Sequence, residues 1–117
     1  MAYDSSNVFA RILRGEIPSK KLYEDEFALA FHDIAPVAPV HILVIPKGEY
    51  THYSDFIAHA PAALVQGFFK AIGSITAQEK LSDYRLVSNN GEGAGQTVPH
   101  FHMHLLAGKT FGALLTA

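Results

Sequence analysis

The chain has 117 residues, 49% hydrophobic and 17% charged, which is enough for one domain whose core stands without disulfides or metals. Its net charge of −2 argues against nucleic acid as a partner, and the absence of cysteine excludes a disulfide framework and a thiolate metal site. The sequence opens without a basic segment followed by an apolar run, and no apolar stretch approaches the ~20 residues that span a bilayer. A cytoplasmic protein with no membrane partner is therefore expected.

Residues 7–15 read as a short helix, with Ser6 or Asn7 as N-cap, Gly15 at the exit, and Phe9, Ile12 and Leu13 on one face. Lys20–Glu24 and Phe27–His32 read as two strands of a hairpin joined at Asp25-Glu26, with Phe27, Leu29 and Phe31 sharing a face. Asp33–Pro39 holds two prolines in seven residues and is a loop. His41–Ile45 is the clearest strand, apolar on both faces after His41, and belongs in the middle of the sheet. Thr51–Ile57 is compatible with a helical turn.

From Pro61 to about Lys80 or Leu81 the spacing predicts a long helix. Its stripe is Leu64, Phe68, Ile72 and Ile75, widened by Val65 and Phe69. Tyr84–Asn89 is a strand, and residues 90–97 form a loop with three glycines. A last strand runs to about Ala107, followed by a tail whose Phe111, Leu114 and Leu115 could pack on a partner subunit. The order predicts one α+β domain over residues 1–117, with a mostly antiparallel sheet, one long helix and one short helix.

The last strand carries the chemistry. His100, His102 and His104 alternate with Phe101, Met103 and Leu105, so one face is apolar and the other holds three imidazoles. A purely structural strand needs polar residues there, but not three histidines. Alternate strand positions i and i+4 lie about 13 Å apart, so one metal ion cannot join His100 to His104. A metal held by His102, one neighbour and His41 or His32 stays open, without support from any metal-ligand motif. A row of neutral imidazoles also supplies a nucleophile, hydrogen-bond donors and a proton path, which suits attack on phosphorus. The glycine loop fits an anion, since Gly91, Gly93 and Gly95 let backbone amides approach closely while Asn89 and Thr97 add polar side chains. Asp33, in its rigid loop, could accept from both hydroxyls of a ribose or simply cap its own turn.

Together these residues resemble the histidine triad family, whose motif alternates three histidines with apolar residues and closes on two more. Here it stands as His100-Phe101-His102-Met103-His104-Leu105-Leu106. The likeness extends to residues 9–18, Ala30–Ile34, Pro39–Lys47 and Gly95–His100, and is nearest to the Hint-type purine nucleotide branch. The resemblance implies a hydrolase of purine nucleoside 5′-phosphoramidates that works through a nucleotidyl-histidine at His102. His104 and Thr97 would hold phosphate oxygens or the leaving group, and His100 and His41 would orient His102 and relay protons. Asn89, Gly95 and Gln96 would complete the phosphate loop, Asp33 would hold the ribose, and Phe9, Ile12, Ile34 and Leu43 would line the base pocket. It further implies a homodimer with one continuous sheet, and no cofactor. A dinucleoside polyphosphate hydrolase and a non-enzymatic nucleotide-binding or scaffold dimer are the alternatives. Asn7-Val8-Phe9-Ala10 stands where some relatives carry a zinc-binding Cys-x-x-Cys, and the tail has no tryptophan.

Overall fold

The computed structural model describes residues 2–114. Helix α1 (Val8–Leu13) starts where predicted. The Asn7 side chain accepts the Ala10 N–H at 2.9 Å, and Gly15 leaves the helix with φ +76°. Strands β1 (Lys21–Glu24) and β2 (Ala28–His32) form the expected hairpin. Its turn is closed by the Asp25 carboxylate, which accepts from Phe27 N–H at 2.7 Å and Ala28 N–H at 2.9 Å.

Strand β3 (Val40–Pro46) is followed by helices α2 (Tyr53–His59) and α3 (Ala62–Gln78), then β4 (Tyr84–Val87) and β5 (Met103–Ala107). Every pairing is antiparallel, and the order β1-β2-β3-β5-β4 puts β3 at the centre. Among the described residues no helix is long and apolar enough to cross a membrane.

The alternation of β2 and β3 divides the core in two. Ala28, Ala30, Ile42 and Val44 face α2 and α3, where they meet Phe56, Phe68, Ala71, Ile72 and Ile75. Leu29, Phe31, Leu43 and Ile45 face α1 and meet Phe9 and Ile12. The two alanines of β2 leave room for α3, while the large residues of the same strand build the opposite layer. That opposite layer becomes one wall of the site.

Four expectations change. Phe27 does not share a face with Leu29 and Phe31. It lies ahead of β2, where the Asp25 turn swings its ring onto α3 against Gly67, at a position where any Cβ would overlap it. Residues 53–59 form a full second short helix, because the His52 ring accepts the Asp55 N–H as N-cap, an uncommon choice that pattern does not reveal. Phe69 is 39% exposed and sits at the margin of the α3 stripe. In the tail, Arg85 stacks 5.0 Å over the Phe111 ring and donates to the Gly112 carbonyl at 2.9 Å, so Phe111 folds back on its own chain. Leu114 is exposed, and Leu115 lies outside the described residues.

Phe101 sits between the first two triad histidines and is fully buried. Its ring stacks on Phe56 at 5.0 Å and meets Phe68 at 5.4 Å. Phe101→Ala is expected to cost about 3–5 kcal/mol of unfolding free energy, read from urea denaturation, through lost transfer energy and the cavity left behind. A loss under ~1 kcal/mol would mean that Phe101 does not anchor this stretch.

Candidate active site

The predicted strand through all three histidines is shorter than expected, beginning only at Met103. β4 ends at Val87, opposite His104, and β3 pairs with β5 only as far as Val44, opposite Met103; its last two residues pair with β2 alone and end in Pro46, which has no N–H to donate. Upstream, the backbone bonds elsewhere: Phe101 N–H to the Tyr50 carbonyl at 2.8 Å, and the His102 carbonyl to the Ser88 hydroxyl at 3.0 Å. The alternation nevertheless survives. Phe101 and Leu105 enter the helix-side core, while His102 and His104 lie together on the α1 side with ring centres 5.1 Å apart.

Hydrogen-bond partners fix the tautomer of each ring. His102 Nδ1 lies 2.7 Å from the His100 carbonyl, which can only accept, so Nδ1 carries the proton and Nε2 keeps its lone pair. His41 Nδ1 accepts the Val37 N–H at 3.1 Å, so its proton is on Nε2. That N–H points to His104 Nδ1 at 2.9 Å and, less directly, to Asp33 Oδ2 at 3.3 Å. His104 therefore carries its proton on Nε2. His100 donates Nε2–H to the Pro46 carbonyl at 3.2 Å and accepts from the Tyr3 hydroxyl at 2.6 Å. The pair nearest the solvent thus offers one bare nitrogen, on His102, and one N–H, on His104.

His102 and His104 line a cavity of about 280 Å³ together with Phe9, Ile12, Asp33, Ile34, Leu43 and Thr97. Eight of the residues singled out from the sequence therefore meet in one place. Its apolar end lies against α1 and its polar end at the histidines. Phe9 stands edge-on to the His102 ring at 4.9 Å. Ile34 is 99% exposed at the mouth, so nothing among the described residues covers it. Asp33 Oδ1 caps its own turn on Ala35 N–H at 2.7 Å, and the residue also lines the cavity.

The glycine loop is built differently from the expectation. It contains a 3₁₀ turn at Glu92–Ala94, and the Gly95 N–H closes that turn on the Glu92 carbonyl at 3.0 Å, so it is not available to an anion. Gly95, at φ +92°, instead backs onto the Asn89 side chain. The Gln96 amide accepts the Gly91 N–H at 2.8 Å and donates to the Thr51 and Val98 carbonyls at 2.6 and 3.0 Å. Gln96 thus holds the loop in place and is not a free ligand donor. The Thr97 and Val98 N–H groups make no backbone hydrogen bond among the described residues, and both residues line the cavity. Asn89 does not line the cavity, and neither do His100 and His41, which stand behind it.

Several contributors were not foreseen. Ser88 ties down the His102 carbonyl, and Val8, Ser19, Lys20 and Val98 join the cavity wall. The hairpin register could have found Lys20, whose carbonyl receives the His32 N–H at 3.1 Å. No local signal could have found Tyr3, which reaches across 97 positions to His100. His52 is a helix cap, and the exposed His59 pairs with Asp55.

A metal is best accommodated by Asp33, His41 and His104, whose ligand atoms lie within 4.8 Å of one another. His102 is not in that group. With the Val37 N–H on Nδ1, His41 keeps its proton on Nε2, and that proton occupies the space a cation would need. The cluster is a hydrogen-bonded chain as it stands. Burial lowers the pKa of His102 below the ordinary imidazole value, keeping it unprotonated near neutrality. Burial also lowers His100 and His104, each to about 4, with the neighbouring imidazoles adding to the effect on His104.

The HIT domain family model matches residues 14–111. An uncharacterized HIT-like protein of Azospirillum brasilense is 54% identical over 116 residues, covering 97% of this chain and 95% of that protein. The purine nucleoside phosphoramidase of Escherichia coli K12 is 40% identical over 110 residues, covering 92% of each. Among solved structures, a histidine triad protein from Clostridium difficile superposes with TM-score 0.84 at 37% identity, over 97% of this chain and 100% of that one. A HIT family hydrolase from Clostridium thermocellum gives 0.82 at 35% identity, over 97% and 99%.

The buried rings predict a pH dependence of stability. His100 is neutral in the fold, whereas the unfolded chain protonates it below its ordinary value of 6.5, so the unfolded state binds more protons and stability rises with pH. This contribution is complete above about pH 6.5 and is lost as pH falls towards about 4. Urea unfolding at pH 7 and pH 4.5 is expected to differ by ~2–3 kcal/mol from His100 alone. Equal midpoints at the two pH values would contradict the burial of a neutral ring.

Proposed function

This chain belongs to the HIT domain family, and on that footing we propose that it is a nucleotide-binding hydrolase that cleaves the P–N bond of purine nucleoside 5′-phosphoramidates. One observation carries the reading: the bare Nε2 of His102 and the Nε2–H of His104 stand side by side on the wall of a cavity whose other end is apolar. A lone pair beside a donor is what attack on a phosphoryl group requires, since the nucleophile meets phosphorus while the donor meets a charged non-bridging oxygen.

In this mechanism the base lies against Phe9, Ile12, Leu43 and Ile34, and Asp33 accepts from the ribose hydroxyls. The phosphate meets His104, the Thr97 hydroxyl and the N–H groups of Thr97 and Val98. His102 Nε2 forms a bond to the α-phosphorus as the P–N bond breaks, and the leaving nitrogen takes up a proton from solvent as it departs. The positive charge that forms on the His102 ring is shared through Nδ1–H with the His100 carbonyl. Water then attacks the phosphorus and gives up a proton to solvent, the P–N bond to His102 breaks, and the nucleoside monophosphate is released. His41 contributes by holding His104 in the tautomer that donates outward.

The proposal includes a homodimer in the cytoplasm. β4 is an edge strand whose Tyr84 and Leu86 are 45% and 41% exposed, and joining two such edges would continue the sheet.

The test is amine release from an adenosine 5′-phosphoramidate. His102→Ala is expected to lower kcat by at least about 10³-fold, and His104→Ala by about 10²-fold, while adenosine monophosphate still binds both variants. Denaturing mass spectrometry of quenched wild-type protein should find the nucleotidyl group on His102. Undiminished turnover in His102→Ala would remove the mechanism. Nucleotide binding without turnover on any amide or anhydride would favour a binding dimer instead.

A further inference from the structure

We propose that Tyr3 is a positioning residue for the histidine site, its hydroxyl holding His100 so that the His100 carbonyl stays on His102 Nδ1. This rests on His102 being the nucleophile of the proposed reaction.

The His100 ring is fully buried and its two nitrogens point away from the cavity. One donates to the Pro46 carbonyl; the other accepts from Tyr3 at 2.6 Å, the only donor to it among the described residues. His100 thus contributes to the site through its backbone, whose carbonyl lies 2.7 Å from His102 Nδ1. Whatever fixes the ring in its pocket also fixes that carbonyl. A buried acceptor that loses its donor favours another rotamer or tautomer, and either change moves the peptide that carries the carbonyl.

The segment before α1 is built to deliver this hydroxyl. Asn7 is buried and bonds back to the Asp4 carbonyl through its side chain at 2.7 Å, while Asp4 Oδ1 holds the Ser6 N–H and hydroxyl at 2.9 and 2.6 Å. Arg14 donates to the Ser5 carbonyl at 2.8 Å from the far end of α1. The same Asn7 caps the helix that brings Phe9 edge-on to both His100 and His102. Burial holds the Tyr3 phenol above its ordinary pKa, so it remains a donor at neutral pH. Tyr3 does not line the cavity, so it acts on the site only through His100.

The experiment is Tyr3→Phe in the full chain. Phenylalanine keeps the ring beside His100 and removes only the hydroxyl. Two readouts are taken: kcat and KM on adenosine 5′-phosphoramidate, and the ring ¹⁵N spectrum that reports each histidine's tautomer. Expected are a kcat lower by roughly tenfold with KM unchanged, and a His102 signal that shifts from pure Nδ1–H towards a mixture. A kcat within twofold of wild type together with an unchanged His102 tautomer would overturn the proposal and leave Tyr3 as a simple anchor of the chain end. If the wild-type protein turns over no phosphoramidate, the functional reading fails while the ¹⁵N arm still decides whether Tyr3 sets the His102 tautomer. Should Tyr3→Phe not fold, a hydrogen-bonded Tyr3 hydroxyl proton coupled to His100 Nδ1 in the wild type supports the contact, and its absence refutes it.

Discussion

The proton held between His102 Nδ1 and the His100 carbonyl is the interaction on which the site depends. It leaves the opposite nitrogen of the ring with its lone pair, and it gives any charge that forms on the ring a fixed dipole to share it with. A backbone carbonyl suits this role because it cannot donate and so admits one tautomer only. That carbonyl is available because the chain has left the ladder. In a regular strand between two neighbours it would accept a backbone N–H from one of them. The end of β3–β5 pairing at Val44 and the end of β4 at Val87 release it together.

The rest of the fold holds two imidazoles at a fixed separation. β3 and β5 are paired so that Leu43 faces His104 and Val44 faces Met103, which fixes His104 to the rigid centre of the sheet. His41 comes from the same central strand and reaches His104 through one hydrogen bond. His102 is held from behind by Phe101, buried among the aromatic rings of α2 and α3, and from the side by Phe9 of α1. The two core layers therefore meet at the histidine stretch, and each holds it from a different face.

Much of this was legible in the sequence because it rests on local alternation. The first hairpin, the central place of residues 41–45, the long helix and the opposition of Phe101 and Leu105 to His102 and His104 all follow from spacing. The resemblance to the histidine triad family gathered Asp33, Ile34, Thr97 and α1 around them. What escaped were features set by backbone hydrogen bonding at a distance. The strand could not be seen to begin at Met103, because its limit is set by where pairing ends on other strands, at Val44 of β3 and Val87 of β4. Gly95 and Gln96 sit in a loop whose composition suggests an anion cradle, yet its bonding partly closes the loop on itself. Phe27 moved because one carboxylate accepts two N–H groups in a turn, a geometry no periodicity encodes.

The brevity of β4 has a consequence of its own. An outer strand of four residues resembles an incidental remnant of a sheet that frayed, and stability alone would favour zipping it further along β5. Added rungs would draw residues 101 and 102 into the regular pleat and compete for the His100 carbonyl on which the His102 ring relies. The chain therefore forgoes ladder bonds at the spot where they are easiest to form, and the length of this outer strand acts as a boundary condition on reactivity. Drift in the residues between Val87 and Asn90 is constrained accordingly, although none of those side chains lines the cavity. The constraint is on where pairing stops.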